Sequence, residues 1–480
     1  MTEIILASIL LPFAGGLLTL ILPRNWIKFF SGLVAFLVGA AGVYVLIAFT
    51  AAGKTPETVD LLFISKWLVF GIVIDKLSVL IGVALGVVGF LIVVYSTGYL
   101  TMQNREHPEK DVERRFYFYL LLFIGSMSGL VFTSTMLGML IFFEVTGFTS
   151  WGLIGYYGDE KARKSALKAI VVTQIASLGL YVATALFFAM TGSSRLSDMA
   201  ALPDTIKTFI FIGVLIAGYG KSAQLPFHFW LPDAMVAPTP ISAYLHAASM
   251  VKVGVYIFAR CILSAGNVPQ VIGIIGAVLA VITMIYGFTM YFPQKDMKRL
   301  LAYSTITQLS YIFLGLSISI LGSELAFNGA VMHIFNHAFA KSLFFLVAGA
   351  LSFTTGTRML PNLRGVMKKL PLIGICFTVA ALGVTGVPPF NGFFSKFSIF
   401  AGGFEVAEAN PWLYVLVIIA VLESIGSFAW IFWVFSGAVP GEASEEVAAA
   451  TLLAPAMAFV LVTLAALTLV SGIFAVVWMG

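Results

Sequence analysis

Four charged residues stand in apolar surroundings where a charge has no ordinary reason to be. Glu144 lies in IFFEVTGF, Lys221 and Lys252 lie in the apolar runs 207–225 and 241–263, and Lys396 lies in FNGFFSKF. On membrane-insertion scales each would cost about 2.5–3.5 kcal/mol if it faced lipid unpaired, so these groups must face one another, water or polar backbone. A Glu and a Lys on neighbouring helices can form a static bridge, but three lysines to one glutamate exceed what one bridge explains. A lysine buried without a carboxylate loses its hold on its proton through desolvation and becomes a usable proton carrier. Glu144 beside Lys221 would hold that lysine charged, and parting the two would release the proton.

A second constellation lies in MHIFNHAFAKSLFF, where His333, His337 and Lys341 are spaced i, i+4 and i+8. At helical spacing they climb one face as a ladder of titratable groups. A pair of histidines four apart also suits zinc, but no carboxylate or cysteine stands nearby in sequence to complete a ligand set. A hydrogen-bonded core histidine is the plainer alternative for either residue alone. His228 and His246 are expected near the route rather than on it. Cys261 and Cys376 are isolated in apolar runs, and neither a CxxC, a GxGxxG after a strand pattern nor a P-loop is present. No metal, cluster or nucleotide is therefore expected in this chain, and the driving reaction must be supplied elsewhere.

The elements that position these groups follow from composition. Hydrophobic residues make up 60% of the 480 and charged residues 10%, with a mean hydropathy of +1.02, far outside the range of soluble domains. The expectation is an all-α polytopic membrane protein with about 14 spanning runs of about 20 residues, filling 1–480 as a single membrane domain. LPFHFWLP at the end of the seventh run and GVPPFNGFF in the twelfth place helix breakers beside a lysine. Two broken helices in corresponding positions point to inverted repeats, here helices 4–8 (about 116–263) against helices 9–13 (about 268–436). KSALKAI in the sixth run and KSLFFLVAG in the eleventh echo one another. Lys and Arg gather in the loops after odd-numbered runs, among them Arg105, Arg114, Arg115, Lys161, Arg163, Lys164, Lys298, Arg299, Arg364, Lys368 and Lys369. That side should be cytoplasmic and both termini outside. The net charge of +5 is thus a topology signal, not a nucleic-acid one.

GKSAQLPFHFWLPDAMVAPTPISAYLHAASMVKVGVY at 220–256 is similar to the signature of the antiporter-like proton-translocating subunits. That family spans respiratory NADH–quinone oxidoreductase (complex I), Mrp-type sodium–proton antiporters and membrane-bound hydrogenases. IDKLSVL at 74–80, FFEVTGFTSW at 142–151, QKDMKRLLAYSTITQLSYI at 294–312, NHAFAKSLFFL at 336–346 and GVPPFNGFFSKF at 386–397 extend the likeness in order. With YSTGYLTMQNREHP at 95–108, the chain most resembles component D of hydrogenase-4 or formate hydrogenlyase-type complexes.

The resemblance implies roles. Glu144 and Lys221 match the paired carboxylate and lysine, Lys252 the central lysine, His333 and His337 the bridging histidine segment, and Lys396 the terminal Lys or Glu. Lys341, Glu423 and Asp75 are further candidates without an assigned role; Glu423 is open as a subunit contact or an exit group, and Asp75-Lys76 suits a membrane interface. Asp233 would cap or anchor the chain where it re-enters after Pro226 and Pro232. A proton would enter from the cytoplasm, pass Lys252 and the histidines, and load Lys396 or leave by it, with Glu144 and Lys221 as the gate. Implied partners are sister membrane-arm subunits, lipid and a peripheral redox arm carrying nickel–iron and iron–sulfur centres, all at a prokaryotic cytoplasmic membrane. Sodium stays open beside the proton, because unwound carbonyls and a carboxylate suit it too.

Overall fold

A hydrocarbon environment offers backbone groups no water, so spanning segments must satisfy their own hydrogen bonds, which favours helices. The computed structural model, which describes residues 1–65, 68–110 and 114–480, follows that rule. In chain order it contains α1 Thr2–Thr19, α2 Arg24–Ala51, β1 Glu57–Phe63, β2 Val69–Ile74, α3 Lys76–Tyr99, α4 Arg114–Phe132, α5 Met136–Ile154, α6 Glu160–Thr191 and α7 Asp204–Lys221. There follow the single turn α8 Trp230–Asp233, then α9 Thr239–Ala247, α10 Met250–Ala265, α11 Gln270–Thr289, α12 Met297–Ile320, α13 Glu324–Thr355 and the single turn α14 Val366–Lys369. The chain closes with α15 Pro371–Thr385, α16 Asn391–Ala407, α17 Trp412–Ala438, the turn α18 Glu445–Ala448 and α19 Pro455–Met479.

Among the described residues 12 helices are long and apolar enough to cross a membrane, α9 and α10 counting as one. The two further expected runs are shorter or more charged. α7 carries Asp204, Lys207 and Lys221, and the run 371–402 is split into α15 and α16. The chain is also not wholly helical. β1 and β2 pair antiparallel, with an irregular register between Asp60 and Leu62. Reading for apolar length hid this hairpin, because β2, VFGIVI, merges with the start of the run 72–98.

α13 is the hub, packed against α3, α9, α12, α15, α16 and α19. It starts at Ser323, whose hydroxyl accepts from the Ala326 N–H, and ends at Gly356, whose φ of 80° closes the helix in the left-handed region. α12 and α13 are buried along their spanning length, whereas only about a third of that of α2 and α17 is buried. The histidine ladder thus runs through the centre of the bundle.

Glycines bring the lysine helices together. A Cβ on Gly254 of α10 would lie 2.1 Å from the Gly218 carbonyl oxygen of α7, and one on Gly213 of α7 would lie 2.4 Å from the Gly179 oxygen of α6. α7 is held between α6 and α10 at a separation no side chain permits.

Candidate functional site

The first break begins where α7 ends at Lys221. Ala223 takes a φ of 50°, the Gln224 N–H reaches back to the Tyr219 carbonyl, and the Gln224 side chain fastens the turn to Ser222 O, Ile306 O and Ser310 Oγ. Trp230 of α8 donates to Gly220 O at 3.0 Å. Lys221 Nζ, buried, donates to the Phe143 carbonyl at 3.1 Å and Thr146 Oγ1 at 3.3 Å, and lies 4.6 Å from the centre of the Phe143 ring. It fits because residue 147 is glycine, where a Cβ would come 2.9 Å from Nζ. The expected Glu144–Lys221 ion pair is not made among the described residues. Glu144 is half-buried and points away, its Oε2 accepting from Gln174 Nε2 at 2.7 Å, while Oε1 has no partner among the described residues. Its charge still acts on Lys221.

The second break is built the same way. α15 stops at Gly386, φ 83°, whose Cβ would meet Lys396 Cδ at 3.1 Å, and α16 resumes at Asn391. Lys396 Nζ donates to Thr385 O at 3.2 Å and Ser424 Oγ at 3.1 Å, and lies 4.5 Å from the centre of the Tyr311 ring. Its carboxylate neighbour is Glu423 of α17, only 5% exposed. Glu423 accepts from the Tyr311 hydroxyl and from Ser427 Oγ, and so faces inward rather than towards a neighbouring subunit.

Between the breaks lie the central groups. Lys252 follows a third interruption that the sequence did not announce. Ser249 directs both its N–H and its hydroxyl to the Tyr244 carbonyl, at 3.0 and 2.7 Å, a widened turn that parts α9 from α10 without proline or glycine. Ser222 Oγ of the first break donates to Val251 O at 2.8 Å. Lys252 Nζ and both ring nitrogens of His246 and His337 are buried without a protein partner among the described residues. His333 is placed by Ser395 Oγ at 2.8 Å and Gln308 Oε1 at 3.0 Å, with its ring 6.0 Å from that of His337. Lys341 donates to Ser304 Oγ at 2.8 Å. Lys252, Lys341, His333 and His246 all act electrostatically on His337. His246 therefore belongs to the central cluster, which its sequence position beside the first break had not suggested. Unpaired buried nitrogens in such numbers are satisfied only by water, so the arrangement suits a hydrated chain of proton carriers.

His228 does not join it. Half-buried, it packs edge-on to Tyr286 with ring centres 4.5 Å apart. Asp233 does anchor the re-entry, bridging Lys168 of α6 at 2.6 Å and Arg299 of α12 at 3.6 Å. Asp233 and Arg299 line a cavity of about 670 Å³ together with Lys161, Lys164, Asp296 and Arg358. Burial disfavours the charge of Arg358, but Glu106 and Asp296 outweigh it and raise its pKa. Beneath lies Lys298, buried with Nζ on Ala237 O at 2.7 Å; read in sequence as a loop charge, it belongs to the interior.

Two more charges, Arg260 and Lys207, were not marked by the sequence. Arg260, eight residues beyond Lys252, is buried and paired with Asp75, the N-cap of α3, and donates to Tyr256 OH at 2.9 Å. Asp75 is thus an ion-pair partner rather than a free interfacial charge. Lys207 caps the end of α10 through the carbonyls of Ala265 and Asn267. These residues sit near helix ends inside long apolar runs, where only i, i+4 inspection for charge would have marked them. Among the described residues no three His, Cys, Asp or Glu side chains converge as a metal site.

Comparison with known proteins agrees with this architecture. Residues 133–427 match the family described as NADH:quinone oxidoreductase/Mrp antiporter, TM, and residues 65–116 match NADH-ubiquinone oxidoreductase (complex I), chain 5 N-terminus. A component of a probable K⁺/H⁺ antiporter of Rhizobium meliloti is 35% identical over 90% of this chain and 44% of its own length. A component of a Na⁺/H⁺ antiporter of Staphylococcus haemolyticus is 34% identical over 84% of this chain and 52% of its own. The chain spans about half the length of these relatives. Among solved structures, the Mrp complex from Dietzia sp. DQ12-45-1b superposes with a TM-score of 0.85 at 27% identity, over 99% of this chain and 51% of that one. A chain of an archaeal membrane-bound sulfane sulfur reductase shares the fold, with a TM-score of 0.86 at 24% identity over 100% and 96%. With more than half its residues matched, the chain belongs to the NADH:quinone oxidoreductase/Mrp antiporter transmembrane family.

Proposed function

We propose that this chain is a proton-translocating component of a multisubunit cation–proton antiporter of Mrp type, working among sister membrane subunits. The observation that carries this reading is the line of buried titratable groups, Lys221, Lys252, His337, His333 and Lys396, strung between two helix breaks, with the nitrogens at its centre free of protein partners among the described residues. The names of the antiporter relatives support Mrp over the hydrogenase-4 or formate hydrogenlyase assignment. The stretch 95–108 that suggested the latter forms the end of α3 and a loop, where Arg105 binds the Thr354 and Ala449 carbonyls; that is packing, and does not report what drives transport. A redox arm with nickel–iron or iron–sulfur centres is then not required.

The ion carried here is the proton. The backbone carbonyls at the two lysines, Thr385 O at the end of α15 and Phe143 O within α5, each accept from a lysine ammonium, so a metal cation there would have to displace a fixed positive charge. The basic loops face the cytoplasm, the charged cavity beside Asp233 opens there, and both termini lie outside. The two matching lysine sites support helices 4–8 and 9–13 as inverted repeats. The gate is held open in the present conformation, with Glu144 on Gln174, and closes when Glu144 turns to Lys221.

The test is cation-driven collapse of a pH gradient in everted vesicles carrying the whole complex. Sodium or potassium should dissipate the gradient, and Lys252→Ala should abolish the response by about a hundredfold or more in a complex of unchanged subunit content. Full activity with Lys252→Ala would remove the central relay. Gradient formation that instead follows hydrogen or NADH oxidation, without cation dependence, would restore the redox reading.

A further inference from the structure

We propose that Glu423 is the proton acceptor for Lys396, making the second break a self-contained lysine–carboxylate unit. This rests on the transport reading above and adds a residue to it. Glu423 sits one helix beyond the terminal lysine, sealed within the chain. Its carboxylate receives the Tyr311 hydroxyl from α12 and the Ser427 hydroxyl from one turn along α17, and Ser427 in turn contacts Tyr291 OH at 3.3 Å. Lys396 Nζ, above the Tyr311 ring, donates to Ser424 Oγ, the residue next to Glu423, and Ser424 stands beside the Tyr311 hydroxyl. Two hydroxyls thus connect an ammonium to a carboxylate that it does not touch. His333 stands on the other side, its ring 6.2 Å from that of Tyr311 and its Nδ1 on Ser395 Oγ, the residue before Lys396.

The step balances without a co-reactant. The N–H bond of the Lys396 ammonium breaks, Ser424 and Tyr311 each accept one proton and give one up, and an O–H bond forms on Glu423. A neutral amine and a neutral acid replace an ion pair, which in a buried site lowers the cost of holding both groups dry. Release of the proton from Glu423 resets the unit. A purely structural role tolerates Gln, which keeps one acceptor oxygen and donates from its amide to the other hydroxyl, since a hydroxyl can turn to accept.

The test compares Glu423→Gln, Tyr311→Phe and Lys252→Ala in the assembled complex, by gradient collapse in vesicles and by infrared difference spectroscopy for the carbonyl band of a protonated carboxylic acid. Glu423→Gln should lower flux about a hundredfold and delete a carboxylic-acid band, with Glu423→Asp restoring part of both. Should Glu423→Gln fail to assemble, Tyr311→Phe decides, since it keeps the ring beneath Lys396 and removes only the hydroxyl; it should slow flux, and full flux would overturn the relay. Normal flux in Glu423→Gln while Lys252→Ala is dead overturns this proposal alone. Normal flux in Lys252→Ala overturns the transport reading and this proposal with it.

Discussion

The two helix breaks build nearly the same lysine site from unrelated local sequence, and they differ in where the carboxylate points. Each ammonium has one backbone carbonyl, one hydroxyl and one aromatic face: Phe143 O, Thr146 and Phe143 for Lys221, Thr385 O, Ser424 and Tyr311 for Lys396. Each stands against a glycine, Gly147 or Gly386. Glu144, however, lies half-buried on the outside of the bundle with exposed Gln174, while Glu423 is enclosed by Tyr311 and Ser427. The first site can be addressed by whatever packs on α5 and α6, and the second answers only to the chain's own interior. In the transport proposed above, the first site serves as input and the second as output.

The comparison breaks most severely if either ammonium is removed. Lys221→Ala and Lys396→Ala should each lower flux about a hundredfold, measured as gradient collapse in vesicles; loss at one site only would make the other decorative. Next, Gly386→Ala should be worse than Gly147→Ala. The former adds about 1–2 kcal/mol of left-handed strain to a contact with Lys396, whereas the latter only displaces Lys221, and thermal unfolding together with flux separates the two. A hydrophobic carbodiimide should label Glu144 in the isolated chain and spare Glu423, with neighbouring subunits protecting Glu144; mass spectrometry showing the reverse would invert the assignment of input and output. The smallest effect is expected from Gln174→Leu. Removing one hydrogen bond to a charged group, about 1.5–3 kcal/mol, should turn Glu144 towards Lys221 and change flux several-fold without stopping it.

The breaks were legible because proline beside lysine inside an apolar run has few other meanings, and the His333–His337–Lys341 ladder was legible from spacing alone. The hydroxyls and amides that connect the carriers were not. Ser395, Gln308, Ser304, Ser424 and Tyr311 are ordinary residues of polar-flecked helices, and their roles arise from contacts between helices distant in sequence. The break before Lys252 was invisible for a related reason: HAASMVK contains no helix breaker, and a serine hydroxyl competing for the Tyr244 carbonyl leaves no compositional trace. The hairpin was lost because strand and span share the same apolar alphabet. The direction of Glu144 was unreadable, since a sequence tells which groups are near and not which of two neighbours a rotamer selects.

The glycine contacts that clamp α7 between α6 and α10 make one rigid block around Lys221 and Lys252. Backbones that already touch leave no slack between these three helices, so within this block a charge shifts by rotamer and water rather than by helix movement. In the transport proposed above, work done elsewhere then reaches Lys221 as a displaced charge.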